Sequence, residues 1–171
     1  PQISTYHAFA GRLLRAHGLR LGVEPSARLL ADASRFQLAA EVVRSSPGPY
    51  QWLTTSVPTL VEDLLALDAE LAEHLVEPER LRAYDQRLLG ELARVPLSND
   101  RMRRVPEAAR ARGELLTLVE EYRARKRERD LLDFGDQIAL AATLARDLPE
   151  VGRALREEVA VVLLDEYQDT S

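Results

Sequence analysis

The stretch that decides the fold is "VAVVLLDEYQDTS", Val159 to Ser171. Its six apolar residues, Val159 to Leu164, do not alternate with polar ones, which predicts a strand covered on both faces. Such a strand needs neighbours in a sheet, and apart from the stub "PQIS" at the start no other segment is typical of a strand. We therefore expect the rest of the sheet to lie in sequence outside this chain.

Helical periodicity dominates everything before that stretch. The predicted helices are about Tyr6 to His17, one capped by Asp32, one opened by Pro58, one after Pro78, about Glu107 to Glu128, one capped by Asp133 and one opened by Pro149. Two inward faces are predicted, Phe36, Ala39, Ala40 and Val43 in the second helix and Leu60, Leu64, Leu67, Leu71 and Leu75 in the third. The segment Arg94 to Pro106 is interpreted as a connecting loop. The predicted fold is mainly α: a helical insertion flanked by two edges of an α/β domain, with one strand near the C-terminus.

Composition excludes several classes of site. The chain has no cysteine, so it has no disulfide, thiolate zinc site or cysteine-held cluster. Its three histidines lie too far apart in sequence for a local metal site. Apolar runs are far shorter than the ~20 residues that cross a bilayer. We expect a cytoplasmic protein without a membrane partner.

The charge pattern leaves two interpretations open. The net charge of -5 argues against a dedicated nucleic-acid coat protein. A cationic cluster nevertheless occurs near the end of the fifth helix, at Arg123, Arg125, Lys126, Arg127 and Arg129. It is either a solvated helix face with interspersed glutamates or a patch that faces DNA.

Two carboxylates follow the predicted strand directly. Asp165 and Glu166 would lie where open α/β sheets bind ligands, at the carboxyl end of a strand. Asp165 can hold Mg²⁺, which prefers carboxylate oxygen, and Glu166 can orient or deprotonate the water that attacks a γ-phosphate. The other interpretation is an ordinary strand that ends in an acidic turn.

Three motifs carry a resemblance to a known family. "DEYQDT", Asp165 to Thr170, closely resembles motif II, the Walker B element, of the UvrD/Rep/PcrA helicases of superfamily 1. "STYHAFAGRLLR", Ser4 to Arg15, is similar to the motif Ib region, and "LLDFGDQI", Leu131 to Ile138, is similar to the Asp-Phe-x-Asp stretch before motif II. The helical middle matches only in length and character. The run "STYHAFAGRLL…GVEP…RLL" is also similar to motor subunits of the AdnAB class of helicase-nucleases.

The resemblance implies roles for the nucleotide-site residues. Asp165 corresponds to the magnesium ligand and Glu166 to the catalytic base. Gln168 and Asp169 belong to the network that links the nucleotide site to neighbouring motifs. The cofactors implied are Mg²⁺ and ATP, both of which also need residues outside this chain.

Other residues have two interpretations each. Thr5 and His7 are similar to motif Ib residues that touch single-stranded DNA, and the alternatives are a plain helix cap and a surface histidine. Asp133 and Asp136 are either structural caps or site residues. Trp52 is interpreted as a core residue in preference to a base-stacking platform.

The departures from the family pattern matter equally. A phosphate-binding loop needs glycines and a lysine, but Lys126 is the only lysine and no "GK[ST]" occurs. "DFGDQI" has glycine and glutamine where the family commonly has acidic and leucine residues. We therefore expect this chain to be inactive alone.

The resemblance implies three segments: residues 1–18 and 131–171 as parts of motor domain 1A, and residues 19–130 as helical subdomain 1B. The implied parent is an ATP-dependent 3′ to 5′ DNA helicase of repair or recombination. Its partners are single-stranded and duplex DNA, the remainder of the motor and a second helicase-nuclease subunit. One alternative is a non-enzymatic helical module that binds DNA or protein. Another is a carboxylate nuclease that uses Asp165 and Glu166.

Overall fold

Helices make up most of the protein, as the sequence predicts. The computed structural model describes residues 2–54, 56–96 and 98–165. Its helices are α1 (Tyr6–His17), α2 (Asp32–Ser45), α3 (Val57–Glu73), α4 (Pro78–Leu92), α5 (Asp100–Glu128), α6 (Phe134–Asp147) and α7 (Pro149–Glu158), with a short 3₁₀ helix at Gly18–Leu21. In the described ranges, no helix has both the length and the apolar character needed to cross a membrane.

The described residues form two compact units. The first unit contains the chain up to Leu29 and from Asp130 onward, and the second unit is Leu30–Arg129. The chain leaves and re-enters the first unit at a short parallel sheet. There β1 (Arg28–Leu29) pairs with β2 (Leu131–Leu132), and the Arg28 N–H donates to the Asp130 carbonyl over 2.8 Å.

The first unit is built on α1, α6 and α7. Helix α1 packs against α6, and α6 against α7. Thr5 caps α1 and Gly18 follows its last residue, so the predicted bounds of this helix are confirmed. Small and branched side chains fill the core between the three helices: Ala10, Leu13, Leu14, Ala141, Leu144 and Val151.

The second unit consists of α2 to α5. Helix α5 contacts each of the other three, and α2 also packs on α3. The fully buried side chains include Val42, Leu64, Leu116, Leu118, Val119 and Tyr122. The prediction that Leu60, Leu64 and Leu71 face inward is confirmed, because each is at most 4% exposed.

The strand predicted at Val159 to Leu164 is not formed. Val159 directly follows α7 as its C-terminal cap, and its N–H donates to the Leu155 carbonyl. Residues 160–165 have no regular structure, and Leu163 is 90% exposed. A strand is stabilised by pairing with a neighbour, and among the described residues none pairs with this segment. Apolar character alone therefore does not make these residues a strand.

The sheet that does form was missed. Arg28–Leu29 is too short to show a pattern, and Leu131–Leu132 directly precedes the Asp133 cap. Both strands contain only two residues, which is well below the usual strand length of about 5. Their pairing depends on residues distant in sequence, so local periodicity carries no sign of it.

Helix α5 begins earlier than predicted. The Asn99 side chain accepts a hydrogen bond from the Met102 N–H over 2.9 Å, and the helix then continues through Pro106. A proline in a helix removes one backbone donor and normally marks a boundary. Here the cap at Asn99 starts the helix at Asp100, so residues from Asp100 to Pro106 are helical rather than loop.

Three further local predictions are wrong. Asp32 is the first residue of α2 and not its cap, which is Ala31. Phe36 is 49% exposed, because the buried face of α2 is centred on Leu38, Ala39, Val42 and Val43. Leu75 lies beyond the end of α3 with φ of 50° and is 37% exposed, so it leaves the stripe of the preceding leucines.

Candidate functional site

The N-terminus of α1 carries the predicted DNA-binding residues Thr5 and His7. Thr5 has an extended backbone, and its Oγ1 accepts a hydrogen bond from the Ala8 N–H over 3.2 Å. This is the cap interpretation of Thr5, now confirmed. A hydroxyl that accepts one bond can still donate its own proton, so capping leaves Thr5 able to contact a phosphate. A role in DNA binding stays a prediction.

His7 is exposed and has an aromatic neighbour. Its ring meets the edge of the Phe134 ring, with centroids 5.1 Å apart and an angle of 84° between the planes. Phe134 is the first residue of α6 and is 46% exposed. The contact between Phe134 and His7 was not predicted from the sequence. The position of Phe134 directly after the Asp133 cap was the signal that it begins a helix.

Asp133 and Asp136 form a reciprocal capping box at the start of α6. The Asp136 N–H donates to Asp133 Oδ1 and the Asp133 N–H donates to Asp136 Oδ2, both over 2.9 Å. These bonds satisfy backbone donors that a helix terminus leaves open. Of the two interpretations, the structural cap is confirmed.

Only one of the predicted nucleotide-site residues lies in the described part of the chain. Asp165 is exposed and follows the exposed apolar residues Val161 to Leu164. Glu166, Gln168 and Asp169 lie outside the described residues. The structure thus brings Thr5 and His7 together at one helix end, whereas the arrangement of the carboxylates stays a prediction.

Lys126, the only lysine, is committed to a buried ion pair. Its Nζ lies 3.1 Å from Asp68 Oδ2, and the Lys126 side chain is 3% exposed. It also lies 4.6 Å from the centroid of the Tyr122 ring. A phosphate-binding lysine must reach out to the β- and γ-phosphates. Lys126 is structural, which agrees with the absence of a phosphate-binding loop from this sequence.

Comparison with known proteins places the chain in a family. The model of the UvrD/REP helicase N-terminal domain matches residues 1–171. The chain belongs to the UvrD/REP helicase N-terminal domain family. The resemblance carried by its three motifs is therefore confirmed at this level, and the AdnAB subclass stays a prediction.

A curated relative of this UvrD/REP family chain is longer. The ATP-dependent helicase/nuclease of Streptococcus sanguinis (strain SK36) has a subunit that is 32% identical to this chain over 93 residues. Those residues are 54% of this chain and 7% of that protein. The chain thus corresponds to a small part of the relative.

The cationic cluster of this UvrD/REP family chain has both buried and exposed members. Arg123 and Lys126 both donate to Asp68, whose side chain is 4% exposed. Arg125 and Arg129 both pair with Glu41 on α2, over 2.9 and 2.6 Å. Arg123 and Lys126 are therefore held against a buried carboxylate of α3, whereas Arg125 and Arg129 pair with the half-exposed Glu41. A DNA-facing role for the exposed part of this cluster stays a prediction.

These contacts also shift the ionisation of the partners. The hydrogen bond from Arg129 holds the pKa of Glu41 below its ordinary value of 4.5. The same bond raises the pKa of Arg129. Elsewhere in the second unit, the hydrogen bond from Arg112 to the buried Asp85 raises the pKa of the guanidinium. All three shifts come from charge-assisted hydrogen bonds that favour the ionised forms.

In this UvrD/REP family chain, Trp52 contacts a cation that its sequence did not indicate. Trp52 is 37% exposed, so it is not the core residue expected from the sequence. The guanidinium carbon of Arg110 lies 4.9 Å from the centroid of a Trp52 ring. Arg110 is in α5 and Trp52 is in the loop after α2, so only the fold brings them together.

Proposed function

We propose that this chain is part of an ATP-dependent DNA helicase that translocates 3′ to 5′ on single strands and serves DNA repair or recombination. The observation that carries the proposal is the family match over residues 1–171. The helicase/nuclease found among its relatives supports it. In this proposal, residues 1–18 and 131–171 belong to the motor domain and residues 19–130 to its helical subdomain.

Asp165 and Glu166 are the proposed nucleotide-site pair. The exposed carboxylate of Asp165 fits magnesium, because this hard cation prefers oxygen donors and keeps much of its hydration. The ion supplies charge neutralisation at the phosphates when it is bound. Glu166 orients the attacking water and accepts its proton, and Gln168 and Asp169 couple the nucleotide site to neighbouring motifs.

The start of α1 is the proposed contact with single-stranded DNA. The N-terminus of a helix favours phosphate because its first backbone N–H groups point outward and its dipole is positive there. The hydroxyl of Thr5 and the exposed imidazole of His7 lie at this end. Together they provide backbone contacts that do not depend on base sequence.

Catalysis requires protein outside this chain. Lys126 is buried against Asp68, so it is unsuited to bind the β- and γ-phosphates. The remainder of the motor would supply the phosphate-binding loop, and a second helicase-nuclease subunit is a further proposed partner. The isolated chain is therefore proposed to be inactive and the whole protein cytoplasmic.

The test is the magnesium-dependent, DNA-stimulated ATPase activity of the longer protein that contains this chain. Glu166→Gln removes the proposed base, and we expect a loss of about 100-fold or more. Glu157→Gln, at an exposed position of α7, is the matched control and should retain activity. A Glu166→Gln variant as active as the control would overturn the assignment of the base, and a longer protein without ATPase activity would overturn the helicase.

A further inference from the structure

Trp52 is an exposed aromatic residue on a loop that is hydrogen-bonded to α5. The carboxylate of Glu114 accepts hydrogen bonds from three consecutive backbone N–H groups, those of Gln51, Trp52 and Leu53, over 2.9, 2.9 and 3.2 Å. Trp52 is nevertheless 37% exposed. Tryptophan is highly buried on average, so its partial exposure on this hydrogen-bonded loop is unusual.

Arg110 extends this aromatic surface. Its guanidinium lies over the Trp52 ring at 4.9 Å, and Arg110 precedes Glu114 by one helical turn of α5. A planar guanidinium stacks on aromatic rings and donates to phosphate. Two residues of α5 therefore contact the Trp52 segment: Glu114 accepts hydrogen bonds from its backbone, and Arg110 lies over the Trp52 ring.

The sequence from the end of α4 to the middle of α5 is rich in arginine, although Arg103 pairs with Asp100 over 3.4 Å and Arg112 with Asp85. The segment from Arg94 to Arg112 contains six arginines and two acidic residues, whereas the chain has a net charge of -5. Arg103 lies seven residues before Arg110, hence on the same face of α5 and about 10 Å away along the helix. One strand of nucleic acid can therefore contact both positions.

We propose that Trp52 and Arg110 form a stacking site for an unpaired base of single-stranded DNA, with Arg103 contacting its phosphate backbone. The inference rests on the proposed function, because it assumes that the chain acts on DNA. An aromatic ring accepts any base, since every base has a stacking face, and a cationic groove follows the backbone. Base pairs inside an intact duplex already stack on each other, so only the two terminal pairs of a duplex offer that face.

Intrinsic fluorescence tests the site directly, because Trp52 is the only tryptophan in the chain. The 171-residue chain is titrated with an oligothymidylate of about 16 nucleotides, and with a blunt duplex of the same length. Quenching of Trp52 reports stacking, and the anisotropy of a labelled oligonucleotide reports binding independently. We expect saturable quenching by the single strand that weakens with salt, and much less quenching by the duplex.

Variants separate stacking from charge. Trp52→Ala should raise the dissociation constant measured by anisotropy about tenfold, whereas Trp52→Phe should retain most of the affinity. Arg110→Ala should weaken binding several-fold. Arg127→Ala is the matched control at an exposed arginine of the same helix and should bind as the original chain does. Glu107→Gln, which removes the acidic residue between Arg103 and Arg110, should tighten binding.

The outcomes distinguish this site from the helicase proposal. Circular dichroism first confirms that Trp52→Ala and Trp52→Phe are folded. Binding by anisotropy without quenching, together with wild-type affinity of Trp52→Ala, overturns the stacking site and leaves DNA binding by this chain intact. Equal quenching by the duplex also overturns it. If neither DNA binds, the site is overturned, and the ATPase activity of the longer protein separately decides whether the helicase proposal stands.

Discussion

The two ends of α5 carry similar cations in different surroundings. Near its C-terminal end, Arg123 and Lys126 share the buried carboxylate of Asp68. Near its start, Arg101 and Arg104 are exposed, and within the described ranges neither makes an ion pair. Sequence alone carries no sign of this difference, because the acidic partners come from other helices. Whether a cation of α5 is available to a ligand therefore depends on which residues of the neighbouring helices lie opposite it.

Among the variants considered, the loss of Asp68, the shared partner of Arg123 and Lys126 at the C-terminal end of α5, should lower the stability most. Asp68 accepts hydrogen bonds from Arg123 and Lys126, and the Lys126 side chain is 3% exposed. Asp68→Ala should lower the free energy of unfolding by about 3–5 kcal/mol, the usual cost of removing one partner of a buried ion pair. Urea denaturation measures it, with Asp63→Ala at an exposed position of α3 as control. Equal stabilities of the two variants would show that these ion pairs do not support the fold.

Asp85 tests the middle of α5, where Arg112 is held. The Arg112 side chain donates to Asp85 Oδ2 over 2.8 Å, and the Asp85 side chain is 4% exposed. Asp85→Ala should lower the free energy of unfolding by about 2 kcal/mol. The loss is smaller than for Asp68 because Arg112 is partly exposed and water replaces part of the lost contact. Thermal unfolding measures this loss. Glu91→Ala, at an exposed position of α4, the helix that contains Asp85, is the control. A loss no larger than that of the control would contradict the role of Asp85 as an anchor.

Glu114 connects the start of α5 to the loop that carries Trp52. Glu114→Ala removes the acceptor of three backbone hydrogen bonds. It should lower the free energy of unfolding by only about 1 kcal/mol, because water can replace the lost acceptor. The steady-state anisotropy of Trp52 emission should fall as the loop loosens. The exposed Glu107→Ala is the control, and unchanged anisotropy in Glu114→Ala would show that the loop is held by other contacts.

Glu41 should give the smallest effect, and one that depends on pH. Its pKa is lowered by the hydrogen bond from Arg129, so Glu41 stabilises the folded state fully above its ordinary value of 4.5. That contribution is lost as the pH falls through the lower folded-state pKa. The stability difference between the original chain and Glu41→Gln should therefore be present at neutral pH and shrink under acid.

Thermal unfolding at several pH values checks this expectation. Glu73→Gln, at an exposed position of α3, is the control. A difference for Glu41→Gln that persists unchanged at acid pH would show that the ion pair with Arg129 contributes nothing through ionisation.

Local signals predicted much of the fold, but not the contacts between distant residues. The bounds of α1 followed from the Thr5 cap and Gly18, and the start of α6 from Asp133. The start of α5 was missed because Pro106 was interpreted as a boundary, although the Asn99 cap lies before it. The Asn99 cap and Pro106 are both local signals for a helix start, and sequence alone does not show at which of them the helix begins.

The candidate site was less predictable for the same reason. Thr5 and His7 share one helix end, and their proximity follows from sequence adjacency alone. The pairing of Trp52 with Arg110 joins a loop to a helix far along the chain. Such a contact depends on how α5 packs in the second unit, and no short motif encodes it.

The parallel pair of β1 and β2 bears on how this protein can change over evolution. Because Arg28–Leu29 lies beside Leu131–Leu132, the chain enters and leaves the intervening helices at a single point. Closing a loop at fixed ends costs only about 0.6 kcal/mol more for each doubling of its length. Insertions, deletions or whole replacements between these strands therefore need not disturb the scaffold around them. The pairing of β1 with β2 thus fixes the two ends of the intervening segment and leaves its length unconstrained.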